Sequence, residues 1–338
     1  MGLTDRLLTG LRDAGTARPH VLLVELPGGR GVRRAVEDAL DERGWPRAVS
    51  PGAADVLLLA GEVGDPLLPY VDRVHAQLPG PAARIAVSDP ADVDDALDRS
   101  RVHLGHAERQ AAASRTRPDP SWVHRAEDEP AEPGPMAPSG IPLAGGAEDR
   151  DDLEMDALHV PLGPVLPHWP AGLVLHSELH GDVVADVRVA RFGHDVPPRD
   201  AGEATARVLD AASHVLALAG DDRRALRVRS LRRRVLADVT GTRAQTRVDL
   251  ARLEQTFRSR LVARSLGDPA LAVADLLAGT RGPHAPMPDV LSAEGLREAV
   301  VGRDVGEVRL LVAALSPRLR SEAPATSSGG PRPGAGVA

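Results

Sequence analysis

Short apolar runs alternate with amphipathic stretches through the N-terminal third of the chain. His20–Leu26 (HVLLVEL), Asp55–Gly61 (DVLLLAG) and Ala83–Val87 are apolar, of strand length and bounded by turn residues, the pattern of buried strands. Between them, helical periodicity predicts helices over about Val32–Arg43 and Leu67–Leu78, and Pro90–Leu97 opens a further one. Strand–helix alternation with apolar strands predicts an α/β unit, a parallel flavodoxin-like sheet with helices on both faces in three layers.

The C-terminal half has a different rhythm. Leu173–Leu179 and Asp182–Arg191 read as two strands, and Gly181-Asp182 between them suits a hairpin turn. Helical spacing then takes over. Val208, Leu209, Ala212, Val215, Leu216 and Ala219 share one helical face, with Gly220 as a stop. Leu231, Val235 and Val239 mark a second helix, and Leu250, Leu253, Phe257 and Leu261 a third. Shorter helices are expected over Pro269–Ala278, Ala293–Val301 and Val305–Leu315. The second unit is therefore expected to be α+β, mainly helical and opened by a β-hairpin.

Charge divides the chain. Its 338 residues suggest about two domains, and its net charge is −7. Residues 118–156 hold 11 acidic groups against 2 arginines, with seven prolines between Pro118 and Pro142 and no apolar period. Such a composition does not offset the entropy of ordering, so an acidic, Pro-rich disordered linker is expected there. The resulting division is 1–117 (α/β domain), 118–156 (linker), 157–320 (hairpin and helical domain) and 321–338 (disordered tail). Cysteine is absent, which excludes disulfides, thiolate metal sites and cysteine nucleophiles. All 41 cationic side chains are arginine, so there is neither a P-loop lysine nor a Schiff-base lysine. No apolar run reaches the ~18 residues of a membrane-spanning helix. The amphipathic start, Met1–Arg12, lacks the basic and apolar regions of a signal peptide. A soluble, cytoplasmic protein is expected.

Three groups of residues carry candidate chemistry. Gly28-Gly29-Arg30-Gly31 lies between a strand and a helix, where backbone N–H groups can bind an anion with help from Arg30. It matches neither GxGxxG nor a Walker A motif, and a plain tight turn explains it equally. His159, His168, His176 and His180 cluster in sequence. His176 and His180 share a strand face with Glu178, which reads as a solvated polar face more readily than as a zinc site. His103-x-x-His106 is a similar weak pair. His168-Trp169-Pro170 reads as a structural turn with Trp169 packed, or as part of a small-molecule pocket. The strongest charge feature is Arg223, Arg224, Arg227, Arg229, Arg232, Arg233 and Arg234, seven arginines within twelve residues. Guanidiniums make bidentate contacts to carboxylate or phosphate. Nucleic acid, an acidic protein surface, the chain's own linker and plain exposure all remain readings. With only six aromatic residues, base stacking has little support. No Gly-x-Ser-x-Gly, His-Glu-x-x-His or calcium-loop motif is present.

Two longer stretches resemble known subunits. Ala54–Pro81 (ADVLLLAGEVGDPLLPYVDRVHAQLPGP) resembles the 20-kDa subunit of NADH:quinone oxidoreductase, complex I, which is related to the small subunit of nickel–iron hydrogenases. Leu158–Val184 (LHVPLGPVLPHWPAGLVLHSELHGDVV) resembles the opening of the 49-kDa subunit, related to the hydrogenase large subunit. Leu209–Gly220 and Arg223–Asp238 are similar in character to that subunit's first two bundle helices. The resemblance implies a fusion of two shortened partner subunits. It also exposes departures. Pro27-Gly28-Gly29-Arg30-Gly31 stands where that family carries a cysteine pair, and Asp89-Pro90 where a third is expected. Four thiolates hold such a cluster, so the resemblance implies a chain without it and with no cofactor of its own. Leu166 replaces the first of two quinone-site histidines, leaving His168 as the candidate for quinone contact. The function expected is a non-catalytic, cluster-free accessory or assembly component, with protein partners in a membrane-associated oxidoreductase. Two alternatives stay open. One is a quinone-site subunit whose redox centres sit in other chains. The other is an Arg-mediated binder of acidic protein or nucleic acid through Arg223, Arg224, Arg227, Arg232, Arg233 and Arg234.

Overall fold

The structure is a computed structural model describing residues 15–116, 145–148, 154–237, 243–280 and 289–319. The amphipathic start, most of the expected linker and the expected C-terminal tail lie outside the described residues.

The first unit is a parallel sheet of β1 (Val21–Glu25), β2 (Val56–Ala60) and β3 (Ala83–Val87), in that order, with Val21 level with Val56 and Val56 with Ala83. Both faces are covered, which is why the strands are apolar without alternation. Val21, Leu23, Val56 and Leu58 pack against α1 (Arg30–Arg43) and α3 (Val93–Gly105). Leu22, Val24, Leu57 and Leu59 pack on the other side against Leu67 and against Val71 of α2 (Leu68–Ala76). The three layers expected from the sequence are present. The strand order advances in one direction, so it has no reversal of the kind a doubly wound, flavodoxin-like sheet makes at its switch point. A fourth helix, α4 (Ala107–Thr116), is mostly exposed and is tied back by Gln110, whose amide bonds both backbone groups of Ala82.

α1 shows why its boundaries are sharp. Val32, Val36, Ala39 and Leu40 form its inward stripe. Its C-terminus closes as a Schellman motif: Gly44 sits at φ 62°, its N–H bonds Asp41 O, and the Trp45 N–H bonds Leu40 O.

The second unit contains a separate antiparallel sheet, ordered β4 (Gly145–Glu148), β5 (Glu154–Leu162), β6 (Leu173–His180), β7 (Val183–Arg191). The β6–β7 hairpin turns at Gly181-Asp182, with Gly181 at φ 65°. β4 and the start of β5 fall within the stretch that composition assigns to a disordered linker. The two pair with each other, and β5 goes on to pair with β6 from Ala157; partner strands supply hydrogen bonds that a local reading of charge and proline does not register. The sheet packs Leu173, Leu175 and Val187 onto α10 (Ala293–Val300) and α11 (Val305–Leu315). The remainder is helical: α5 (Ala201–Leu218), α6 (Asp222–Ala237), α7 (Arg243–Arg258), α8 (Arg260–Leu266) and α9 (Asp268–Gly279). Their core runs from Val208 and Leu209 through Phe257 to Val273 and Leu277. Among the described residues, no helix is long and apolar enough to cross a membrane.

The two units meet along α1 on one side and α5 and α6 on the other. Phe192 and Val165 of the second unit join the core beneath α2, with the Phe192 and Tyr70 rings 5.8 Å apart.

Candidate functional site

α1 and α5 each carry a polar stripe at helical spacing. On α1 it includes Arg30, Arg33, Arg34, Glu37, Asp38 and Asp41; on α5 it is Glu203, Arg207, Asp210 and His214. Each helix turns its apolar side to its own core, so the polar stripes face one another across the seam. Arg34 grips Asp210 with two nitrogens at 2.9 and 2.7 Å and reaches Glu203 at 2.8 Å. Arg33 bonds Glu25 and Glu37, and its second terminal nitrogen lies 2.8 Å from Asp210. α6 adds a third row. Arg232 reaches Glu37, Asp210 (2.8 Å) and Asp38 (3.1 Å), while Arg229 holds Asp41 in a fork at 3.0 and 2.9 Å. Arg232 is only 1% exposed, and Arg33, Glu37 and Asp210 are buried with it.

Pairing decides the charge states in this interior. Burial pushes the Asp210 carboxyl up, but Arg33, Arg34 and Arg232 outweigh it and hold the group below its ordinary range. Glu37 is held well below its usual value in the same way, burial being overcome by Arg33 and Arg232. Burial lowers the Arg232 guanidinium, and Glu37 and Asp210 more than reverse this. A carboxyl depressed in the fold contributes stability that is present above its unfolded value and lost as pH falls towards the folded one. Unfolded carboxyls titrate near ~4, so the seam is expected to weaken below about pH 4. A urea-midpoint series from pH 6 to 2 checks this, and a midpoint unchanged to pH 2 contradicts it.

His168 stands at the inner end of the seam. Its backbone is left-handed (φ 61°), and its ring lies 5.0 Å from that of His214. Burial first, and His214 second, hold its pKa well below the usual value, so it is neutral in the folded state. The unfolded chain therefore takes up a proton near pH 6.5 that the folded chain refuses, and stability falls as pH drops below that value. His168→Gln is expected to flatten the pH 5–6.5 limb of the melting curve; an unaltered limb would assign it to another group. The recess beside His168 has a volume of about 20 Å³. That is room for a single water.

The other sequence candidates divide. In the glycine loop, Gly29 is a packing residue: a Cβ there would sit 1.8 Å from the Ala60 carbonyl oxygen. Gly28 (φ 78°) and Arg30 line a cleft at the seam's mouth, whereas a Cβ on Gly31 would meet nothing within 4 Å. In the arginine run, Arg232 does not present itself to an outside partner, and Arg233 does so only in part. Arg232 is buried, and Arg233 bonds Asp38 at 3.2 Å, because α6 lays that face against the acidic side of α1. Arg223, Arg224, Arg227 and Arg234 are exposed, Arg224 beside Asp221 and Arg234 3.0 Å from Asp249. His180 and His159 lie 3.0 and 3.8 Å from Glu178 on the outer face of the sheet. Among the described residues, no group of three or more such side chains is arranged to hold a metal.

Sequence reasoning passed over Arg33, Arg34, Glu37, Asp210 and His214. Their helical spacing was the available signal, a second polar stripe that reads as solvent-facing until a matching stripe is set against it. Compared with known proteins, the chain matches no family, no curated protein and no solved structure.

Proposed function

We propose that this chain is a fused, cluster-free relative of the 20-kDa and 49-kDa complex I subunits, and that it serves as a structural accessory or assembly component of a membrane-associated oxidoreductase. On this reading its α/β unit corresponds to the 20-kDa subunit, and its hairpin and first helices correspond to the opening of the 49-kDa subunit. In those parents the contact between the two units surrounds the cluster and the quinone. The supporting observation is what occupies the equivalent contact here: guanidiniums and carboxylates closed on one another. Protonated guanidinium has no lone pair to offer iron, and thiolates hold such clusters. The chain has no cysteine at all. Asp89, in the region of the expected third cysteine, instead caps a helical turn by accepting the Ala91 N–H at 2.8 Å. The residues present do not fit the cluster. A seam locked by buried pairs suits a rigid body that holds two surfaces in fixed relation.

The tagged full-length chain, recovered from its own cells under mild conditions, is expected to bring cysteine-bearing oxidoreductase subunits with it. The chain purified away from them is expected to contain neither iron nor acid-labile sulfide. Stoichiometric iron and sulfide would overturn the cluster-free part of the reading. Recovery without any oxidoreductase subunit would overturn the accessory part.

A further inference from the structure

The mouth of the seam holds a cleft of about 70 Å³, bordered by Gly28 and Arg30 on the first unit and by Ala171, Arg191, Asp195 and Arg207 on the second. This is several times the ~10–15 Å³ that one water needs. Three guanidiniums converge on one carboxylate there. Arg30 takes one oxygen of Asp195 at 3.0 Å, and Arg207 takes the other at 3.1 Å. Arg191 has neither oxygen: it donates to the Leu319 carbonyl at 2.9 Å, and no carboxylate among the described residues lies within ion-pair reach of it. Burial makes its charge costly to hold; Asp195 offsets part of that cost from a distance, and Arg30 adds to it. Deeper in the cleft, Asp210 is already shared by Arg33, Arg34 and Arg232 and has nothing left for Arg191. One guanidinium is therefore left with no carboxylate in direct contact in a partly desolvated recess. Trp169, Pro170, Pro27 and Pro317 give the same recess apolar walls.

We propose that this cleft binds a small organic carboxylate, with the carboxylate on Arg191 and a short hydrocarbon body against the Trp169–Pro170 wall. A single unmatched charge suits a monoanion, and a guanidinium fork matches a carboxylate in the bidentate manner. The apolar wall favours an acid with a carbon tail over a fully hydrated inorganic ion. The site joins residues from both units, so its ligand adds to the contact between them. It stands independently of any role in an oxidoreductase assembly.

The test is calorimetric titration of the full-length chain with acetate, propionate and pyruvate, with inorganic phosphate as the contrasting anion. Saturable binding of propionate or pyruvate is expected, tighter than that of phosphate. A charge-assisted hydrogen bond lost from the ligand corresponds to roughly tenfold or more in affinity, so Arg191→Gln is expected to weaken binding at least that much. Ala171→Leu fills the cleft without removing an ionic group and is expected to abolish binding even if Arg191→Gln fails to fold. The proposal is overturned if no carboxylate binds saturably, if phosphate binds in preference, or if a folded Ala171→Leu chain binds as the parent does.

Discussion

Replacing Arg232 by methionine is expected to lower the stability of the folded chain by about 3–5 kcal/mol, the range for breaking a buried ion pair from one side. The reason lies in what stays behind. Arg232 is 1% exposed and bonds Glu37, Asp38 and Asp210, two of which are themselves buried. Methionine fills much of the space but leaves Glu37 and Asp210 with fewer counter-charges in a largely desolvated interior. The loss measures stranded charge, not the net worth of the network, since an apolar seam of the same shape could be as stable. Urea unfolding read by circular dichroism supplies the number. Arg234→Ala is the matched control. Arg234 is half-exposed and, among the described residues, pairs with Asp249, so its loss should stay within ~1 kcal/mol. If the two substitutions prove equally mild, the seam is wetter than its geometry implies, and the account of a rigid two-unit body fails with it.

Gly29→Ala is expected to destabilise by about 3 kcal/mol, at the upper end for an overpacked site. The added Cβ would stand 1.8 Å from the Ala60 carbonyl oxygen and 2.5 Å from its carbon. Those are backbone atoms at the end of β2, where the same carbonyl accepts the Leu26 N–H at 2.9 Å, so no side chain can swing aside to make room. Gly31→Ala, two residues on, meets nothing within 4 Å and lies inside α1, where alanine replaces glycine with a gain of roughly 0.5–1 kcal/mol. Opposite signs two residues apart would show that the loop is shaped by packing. Equal and mild effects at both positions would return the loop to an ordinary flexible turn.

Both experiments bear on how the two units are held. The seam is built from side chains that resist independent substitution, because each carboxylate serves more than one guanidinium. Asp210 serves three, and Asp41 takes Arg229 in a fork while also accepting Arg47 at 2.7 Å. Such sharing fixes direction as well as distance. It explains why the arginine run on α6, conspicuous as a candidate for an outside partner, is half spent on the chain itself.

Local pattern carried much of the architecture. α11 falls on the predicted Val305–Leu315, and the Gly181-Asp182 hairpin turns as its residues suggest, because periodicity and turn chemistry act over a few residues. β4 and the start of β5 were hidden, since their hydrogen-bond partners lie in other strands and their own composition argues for a linker. The glycine loop was marked but its meaning was not, because the obstacle at Gly29 is Ala60, thirty-one residues away.

Taken alone, the string of residues specified most of the strands and helices and the absence of sulfur ligands, and it held the polar stripes only as unmatched spacings. Which stripe meets which, and therefore which arginines are buried, which carboxylates are held ionised and where a guanidinium is left over, depended on the packing of α1 against α5 and α6. Charge in a sequence has a sign but no surroundings. Only when two helices exclude water between them does that sign acquire a partner and an energy.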